Sequence, residues 1–367
     1  LEVPREVIIS AMRKHQRYFG FEQSGKLAPR FATVLGTRIN DPRVALDGNE
    51  RVLSARLSDA RFFWDEDKKT PLESHADHMK TMVYHRKLGT LHQKIERIGS
   101  IAAFLCRFTG ADETHTRRAA WLCKMDLETH MVQEFPELQG VMGQKYAEIQ
   151  GEHADVALAV AEHYMPKGAG SELPSGPVGV TVALADKLDA IVGGVAAGLK
   201  PTGSSDPFAL RRAALGMLRI LLERRLEAAL PELIAFAATV QPLPVDEEEV
   251  LGFVMDRLRT LLLEHAPREM VEAVLAAGHQ VPVTILDILK VLNEMSSSPQ
   301  FGSLVQIFKR VNILKKAESI PDSVDPEFFT SEVEGALFAA IEEATLNVER
   351  LLPLGEYQQA ISHLLPL

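Results

Sequence analysis

Ala183-Leu184-Ala185-Asp186-Lys187-Leu188-Asp189 reads as the middle of a helix spanning roughly 177–195, and its neighbours on both sides repeat the same helical period. From about Glu73 onward, candidate helices run through 74–91, 93–108, 112–133, 151–164, 177–195, 207–227 and 229–239. Breaks fall at Thr109-Gly110, Phe135-Pro136, Gly168-Ala169-Gly170 and Pro201 to Pro207. Gln241-Pro242-Leu243-Pro244 marks a domain boundary. The acids Asp246 to Glu249 behind it suit a helix's first turn, where they complement the macrodipole. A second all-helical block follows, broken at Pro267, Gly278 to Pro282, Ser296 to Pro299 and Pro321 to Pro326.

Ahead of Glu73 the pattern is mixed. Pro4 to Gln16 reads as a short helix, with Val7, Ile8, Ala11 and Met12 at helical spacing. Tyr18 to Glu22 and Phe31 to Gly36, around Ser24-Gly25-Lys26, read as a β-hairpin. Asn49 to Trp64 returns to helix. Two strands make no stable sheet alone, so this piece is expected to be the end of an α/β domain. The expected fold class is mainly α, in three parts: 1–72, 73–243 and 244–367.

The 367 residues are 46% hydrophobic and 25% charged, which excludes a disordered chain, a fibre and a disulfide-stapled miniprotein. The formal charge of −10 means that any contact with nucleic acid must rest on local basic patches. Cys106 and Cys123 alone make neither a disulfide framework nor a structural zinc site, and both are expected to be reduced thiols. The start Leu1-Glu2-Val3-Pro4-Arg5 has no apolar signal core and no run approaches a membrane span, so a cytoplasmic location is expected. The absence of an initiator Met and the ending on Leu367 suggest a fragment.

Several motifs point to chemistry that their details do not support. His78, His85 and His92 recur every seven residues, but seven helical residues span about 10 Å, too far to share one ion. His75 with His78 has no evident third ligand. Gly198 to Ser205 has the glycine spacing of a phosphate loop, yet Ser204 stands where the lysine belongs. Gly140 and Gly143 suit close helix packing or a turn better than RNA contact. Basic pairs occur at Arg117-Arg118, Arg211-Arg212, Lys309-Arg310 and Lys315-Lys316. In Phe308 to Lys316 the apolar Phe308, Val311, Ile313 and Leu314 are expected to anchor a helix while four cations point outward, as phosphate contact requires. No Ser-His-Asp or Cys-His arrangement marks a nucleophile, so no catalytic residue is assigned.

The layout of Ala119 to Gln133 and 183–189 resembles metal-dependent phosphohydrolases of the HD superfamily, in which a His, a His-Asp pair and a distant Asp hold a divalent ion. Asp186 matches the last ligand and Asp126 the second position. No His-Asp dipeptide occurs in the chain, however, and the stretch reads Cys123-Lys124-Met125-Asp126. The position of the first ligand, near Lys94 to Arg97, is basic, and cations there repel a metal. The resemblance therefore implies an HD-type fold with degenerate metal positions and no metal or cofactor.

A second resemblance covers essentially the whole chain. Lys14-His15-Gln16-Arg17-Tyr18-Phe19, Gly48-Asn49-Glu50-Arg51-Val52-Leu53, Arg56 to Phe63 and Lys87-Leu88-Gly89-Thr90-Leu91 look like the β subunit of bacterial heterotetrameric glycyl-tRNA synthetase. So do Glu134 to Gly143 and Asp206-Pro207-Phe208-Ala209-Leu210-Arg211-Arg212-Ala213-Ala214, which are long and unusual. The resemblance implies that 1–72 ends a domain like one in the phenylalanyl enzyme's β subunit. It makes 73–243 an HD-type domain and 244–367 an incomplete anticodon-binding helical domain.

It further implies a subunit of glycine–tRNA ligase that binds and positions glycine tRNA beside a separate catalytic α subunit in an α2β2 assembly. ATP and Mg would be used by the α subunit, with no cofactor in this chain. Lys309, Arg310, Lys315 and Lys316 are then expected at the anticodon arm, and Arg117, Arg118, Arg211 and Arg212 at the acceptor side. The rival readings are a metal-dependent phosphohydrolase working through Asp126 and Asp186, and a helical adaptor without RNA contact.

Overall fold

The computed structural model of the chain describes residues 2–38, 40–201, 206–314 and 324–364. These residues form two compact units, Leu1–Val254 and Met255–Leu367. The first opens with α1 (Arg5–Ser10), a π turn at Ala11–His15, and a hairpin of β1 (Phe19–Gln23) and β2 (Lys26–Ala32). There follow α2 (Pro42–Asp67), α3 (Ala76–Met79), a small hairpin of β3 (Val83–His85) and β4 (Gly89–Thr90), and α4 (Leu91–Thr109). Next come α5 (Glu113–Leu122), α6 (His130–Glu134), α7 (Val141–Ile149), α8 (Ala154–Glu162), α9 (Pro177–Ala196), α10 (Leu210–Glu223) and α11 (Leu230–Thr239). The division falls within α12 (Glu247–Leu262). The second unit continues with α13 (Arg268–Ala276), α14 (Pro282–Met295), α15 (Pro299–Leu314), α16 (Glu332–Leu351) and α17 (Tyr357–Ser362). The protein is mainly helical, as expected.

The helix that holds residues 183–189 is central to its unit. Helix α9 is apolar almost all round, and a helix of that kind must be covered on every side. Helices α4, α5, α8, α10 and α11 all pack on it. Small residues let them close: a Cβ on Gly194 would lie 2.7 Å from Leu210 Cδ2.

The structure corrects several local expectations. The segment 74–91 is not one helix but a 3-10 turn, the short α3 and the β3–β4 hairpin. Gly89 has φ of +86°, which stops the helical path. Thr90 then starts α4 with a capping box: its hydroxyl accepts from the Gln93 N–H, and the Gln93 side chain accepts from the Thr90 N–H. Consequently His78, His85 and His92 lie on different elements, and the seven-residue histidine face does not exist.

The segment 112–133 likewise breaks. Helix α5 ends at Leu122, a 3-10 turn spans Met125–Glu128, and Thr129 caps α6. In the first hairpin, Ser24 and Gly25 both have positive φ and close a two-residue turn, so Gln23 pairs with Lys26. The second strand therefore starts at Lys26 rather than Phe31.

Asp67, at the end of α2, ties the N-terminal region to the helical part of the same unit. It accepts from the backbone N–H groups of His130 (3.0 Å) and Met131 (2.9 Å) and from the Tyr146 hydroxyl (2.9 Å). Burial and then Asp67 hold that phenol above its ordinary range. Gln241–Pro244 joins α11 to α12. In the second unit, Leu258, Leu262, Val271, Val274, Ile285 and Leu289 are buried, and α14 packs on α13 and α17. Among the described residues, no helix is long and apolar enough to cross a membrane.

Candidate functional site

Where α4 meets α9, two pairs of charged side chains face each other, each pair three residues apart and so on one side of its helix. Lys94 Nζ lies 2.8 Å from Asp189 Oδ2 and 3.0 Å from Asp186 Oδ1. Arg97 Nε donates to Asp189 Oδ1 at 2.5 Å, and its Nη1 donates to the Leu88 carbonyl. The broken helix after α5 brings in Lys124, whose Nζ donates to Asp186 Oδ2 at 3.0 Å and sits 4.0 Å from the Tyr164 ring centre. The Gln241 side chain donates to Asp189 Oδ1. Lys94, Arg97, Lys124, Lys187 and Asp189 are all buried.

Charge balance explains the titration behaviour of the cluster. Burial alone would raise the Asp186 carboxyl, but Lys124 and Lys94 override it and hold it well below the carboxylate range. Burial would likewise lower Lys94, yet Asp186 and Asp189 hold it above its ordinary value. Asp189 is kept low by Lys94 and Arg97 against the effect of burial. His163 is pushed well below its usual range by burial and by Lys124, and is neutral; its Nδ1 donates to the Val160 carbonyl at 2.7 Å. Cys123, buried beside the cluster, is pushed up to about 12, and both cysteines are free thiols.

Asp126 does not join Asp186 on an ion. Its Oδ2 accepts from the backbone N–H groups of Gly140 (2.5 Å) and Gly143 (3.1 Å). Gly140 has φ of +82°, and a Cβ on Gly143 would lie 2.7 Å from Val160 Cγ1, so both glycines serve turn and packing. The degenerate metal positions do not form a ligand set for a divalent ion: Asp186 already holds two ammonium groups, and Asp126 Oδ2 accepts from two amides while its buried Oδ1 has no hydrogen-bond partner among the described residues. Among the described residues, His115, His153 and Asp155 do bring ligand atoms within 4.8 Å of one another. The two rings are stacked, 4.0 Å apart and 19° from parallel, so their in-plane lone pairs do not converge on one ion.

The expected RNA-contacting cations are dispersed. Arg117 is exposed and paired with Glu113; Arg118 is tied by Glu152 and Glu73. Arg211 Nη2 reaches the Pro201 carbonyl, whereas Arg212 faces a cavity beside Asp186 and Lys187. Lys309 and Arg310 are exposed on α15. Lys315 and Lys316 lie outside the described residues, as do 202–205 of the glycine-rich stretch.

The expected anchoring of the α15 stripe needs correction. Phe308, Val311 and Ile313 are 54%, 53% and 72% exposed, because the helix buries Leu304 instead. Phe308 and Val311 border an open apolar groove with Ile341 and Val348 of α16. In the sequence, Lys94 to Arg97 stand out only as an obstacle to metal. Their partner Asp189 goes unidentified there, although the matched i,i+3 spacing of the two charge pairs is a usable signal.

The sequence profile of the glycyl-tRNA synthetase β subunit matches residues 1–276. The chain is similar to the glycine–tRNA ligase β subunit of Geobacter sulfurreducens, at 44% identity over 99% of this chain and 54% of that protein. Similar matches are the β subunits of Syntrophotalea carbinolica (44% identity, 98% and 54%) and Stutzerimonas stutzeri (42%, 99% and 54%). The chain spans about half the length of the curated relatives it matches.

Proposed function

The chain belongs to the glycyl-tRNA synthetase β-subunit family, and on that premise we propose that it binds and positions glycine tRNA for a separate catalytic α subunit. The single observation carrying this reading is similarity along 99% of the chain to glycine–tRNA ligase β subunits. In this reading ATP and Mg are used on the α subunit, in an α2β2 assembly in the cytoplasm. Residues 73–243 are an HD-type domain facing the acceptor side, with Arg117, Arg118, Arg211 and Arg212 as contacts. Residues 244–367 belong to an anticodon-binding domain, and Lys309 and Arg310 contact the anticodon arm.

The charge cluster supports a positioning role over hydrolysis. Lys94 and Lys124 occupy Asp186, so its charge serves to lock α4, the turn after α5 and α9 together. Its chemical contribution is then orientation: holding the tRNA end where the α subunit's activated glycine can react.

The basic stripe supplies the test. In the complete α/β enzyme, Lys309→Ala with Arg310→Ala should weaken binding of glycine tRNA. It should also reduce the slope of log affinity against log salt by about one per charge removed. An unchanged affinity and slope would remove these residues from the interface.

A further inference from the structure

Beside the Asp186 end of the charge cluster lies a cavity of about 620 Å³, a size that takes a small ligand. Its wall carries three cations, Lys167, Lys187 and Arg212, and two carboxylates, Glu137 and Asp186. The carboxylates are already matched. Asp186 holds Lys94 and Lys124, each at 3.0 Å, and Glu137 takes the Ser10 hydroxyl and, at 3.6 Å, Lys14.

The cations are not matched in the same way. Lys187 Nζ donates to the main-chain carbonyls of His163 (3.4 Å) and Met165 (2.5 Å). Arg212 Nε stands 3.8 Å from Asp206 Oδ2, with 63% of its side chain exposed. Lys167 is exposed and has no ion pair among the described residues. The wall therefore keeps a surplus of positive charge inside an acidic chain.

The same cavity has an aromatic side. Phe208 is 49% exposed, and Tyr164 also lines the cavity. A surplus of cations suits phosphate through charge-assisted hydrogen bonds, and an exposed ring suits a base through stacking. Phosphate and base together define one ligand class.

We propose that this cavity is a nucleotide site, with Lys187, Arg212 and Lys167 taking the phosphate and Phe208 with Tyr164 taking the base. The site goes beyond tRNA positioning, because a free nucleotide and the terminal nucleotide of an RNA offer the same groups.

Calorimetric titration of the full chain with AMP, adenosine and inorganic phosphate tests the assignment. AMP should bind saturably and more tightly than adenosine or phosphate. Arg212→Ala should weaken AMP about tenfold, the worth of a charge-assisted bond. Phe208→Ala should weaken AMP and leave phosphate unchanged. Both side chains are substantially exposed, so an unaltered melting temperature is expected and checks the fold of each variant. Absence of saturable AMP binding up to about 1 mM overturns the proposal, as does AMP binding indifferent to both substitutions.

Competition separates the two sources. Displacement of AMP by glycine tRNA, but not by the same tRNA lacking its 3′-terminal nucleotide, assigns the RNA end. No displacement by either assigns a free nucleotide. Equal displacement by both would mean that RNA backbone fills the cavity and would overturn base recognition. Arg212 is also an acceptor-side contact in the tRNA reading, so the RNA-end outcome rests on that reading; AMP titration does not involve Lys309 or Arg310, so failure of AMP binding and failure of the Lys309 and Arg310 test are distinguishable.

Discussion

Asp126 shows how one buried carboxyl is read from its neighbours. Burial pushes it up to about 6, and the Gly140 and Gly143 amides only partly offset that. An acid whose folded pKa lies above its unfolded value of 3.8 holds its proton more tightly when folded. Its contribution to stability is therefore complete below about pH 4 and is lost as pH rises to about 6, roughly 3 kcal/mol in all. Asp126→Asn keeps an oxygen to accept from the two amides and has no charge to bury. Chemical denaturation at a series of pH values should show that this decline is missing in the variant. An identical pH profile for both proteins would refute the burial argument. The sequence places Asp126 in a metal layout; it does not show that two glycine amides, fourteen and seventeen residues away, take the carboxylate.

At the scale of helices, glycine separates packing from propensity. Gly99 lies within α4, and a methyl group added to its Cα would meet nothing within 4 Å; its φ is ordinary for a helix. Gly99→Ala should stabilise the protein by about 0.5–1 kcal/mol through helix propensity. Gly143 in α7 has Val160 Cγ1 of α8 at 2.7 Å from the same position, so Gly143→Ala should cost about 1–3 kcal/mol through overpacking. Thermal denaturation of the two variants should move the melting temperature in opposite directions; a shared direction would contradict this division. Helical periodicity locates α4, α9 and α11 closely. It joins segments across Gly89 and across Lys124 because apolar spacing continues there, while a positive φ and a local cap decide where the helix ends.

At the scale of the whole chain, the net charge of −10 would, on the proposed tRNA-binding reading, set the kinetics of meeting RNA. Long-range repulsion slows encounter at low salt, and screening over about 10 Å at 0.1 M relieves it while weakening local phosphate contacts. The association rate of this chain with tRNA should therefore stay flat or rise between about 20 and 100 mM salt, while dissociation accelerates. Stopped-flow binding measures both. A steep fall in association rate would mean that a basic patch steers the encounter despite the overall charge.

The residues by themselves determined a mainly helical protein of the glycyl-tRNA synthetase β-subunit family, because helical period and long motifs are properties of neighbouring positions along the chain. Tertiary structure alone decided what Asp186 does. Its partners Lys94 and Lys124 come from separate segments, 92 and 62 residues earlier. The interaction that binds Asp186 into the scaffold depends on approaches of 3.0 Å between those segments, which only packing around α9 creates.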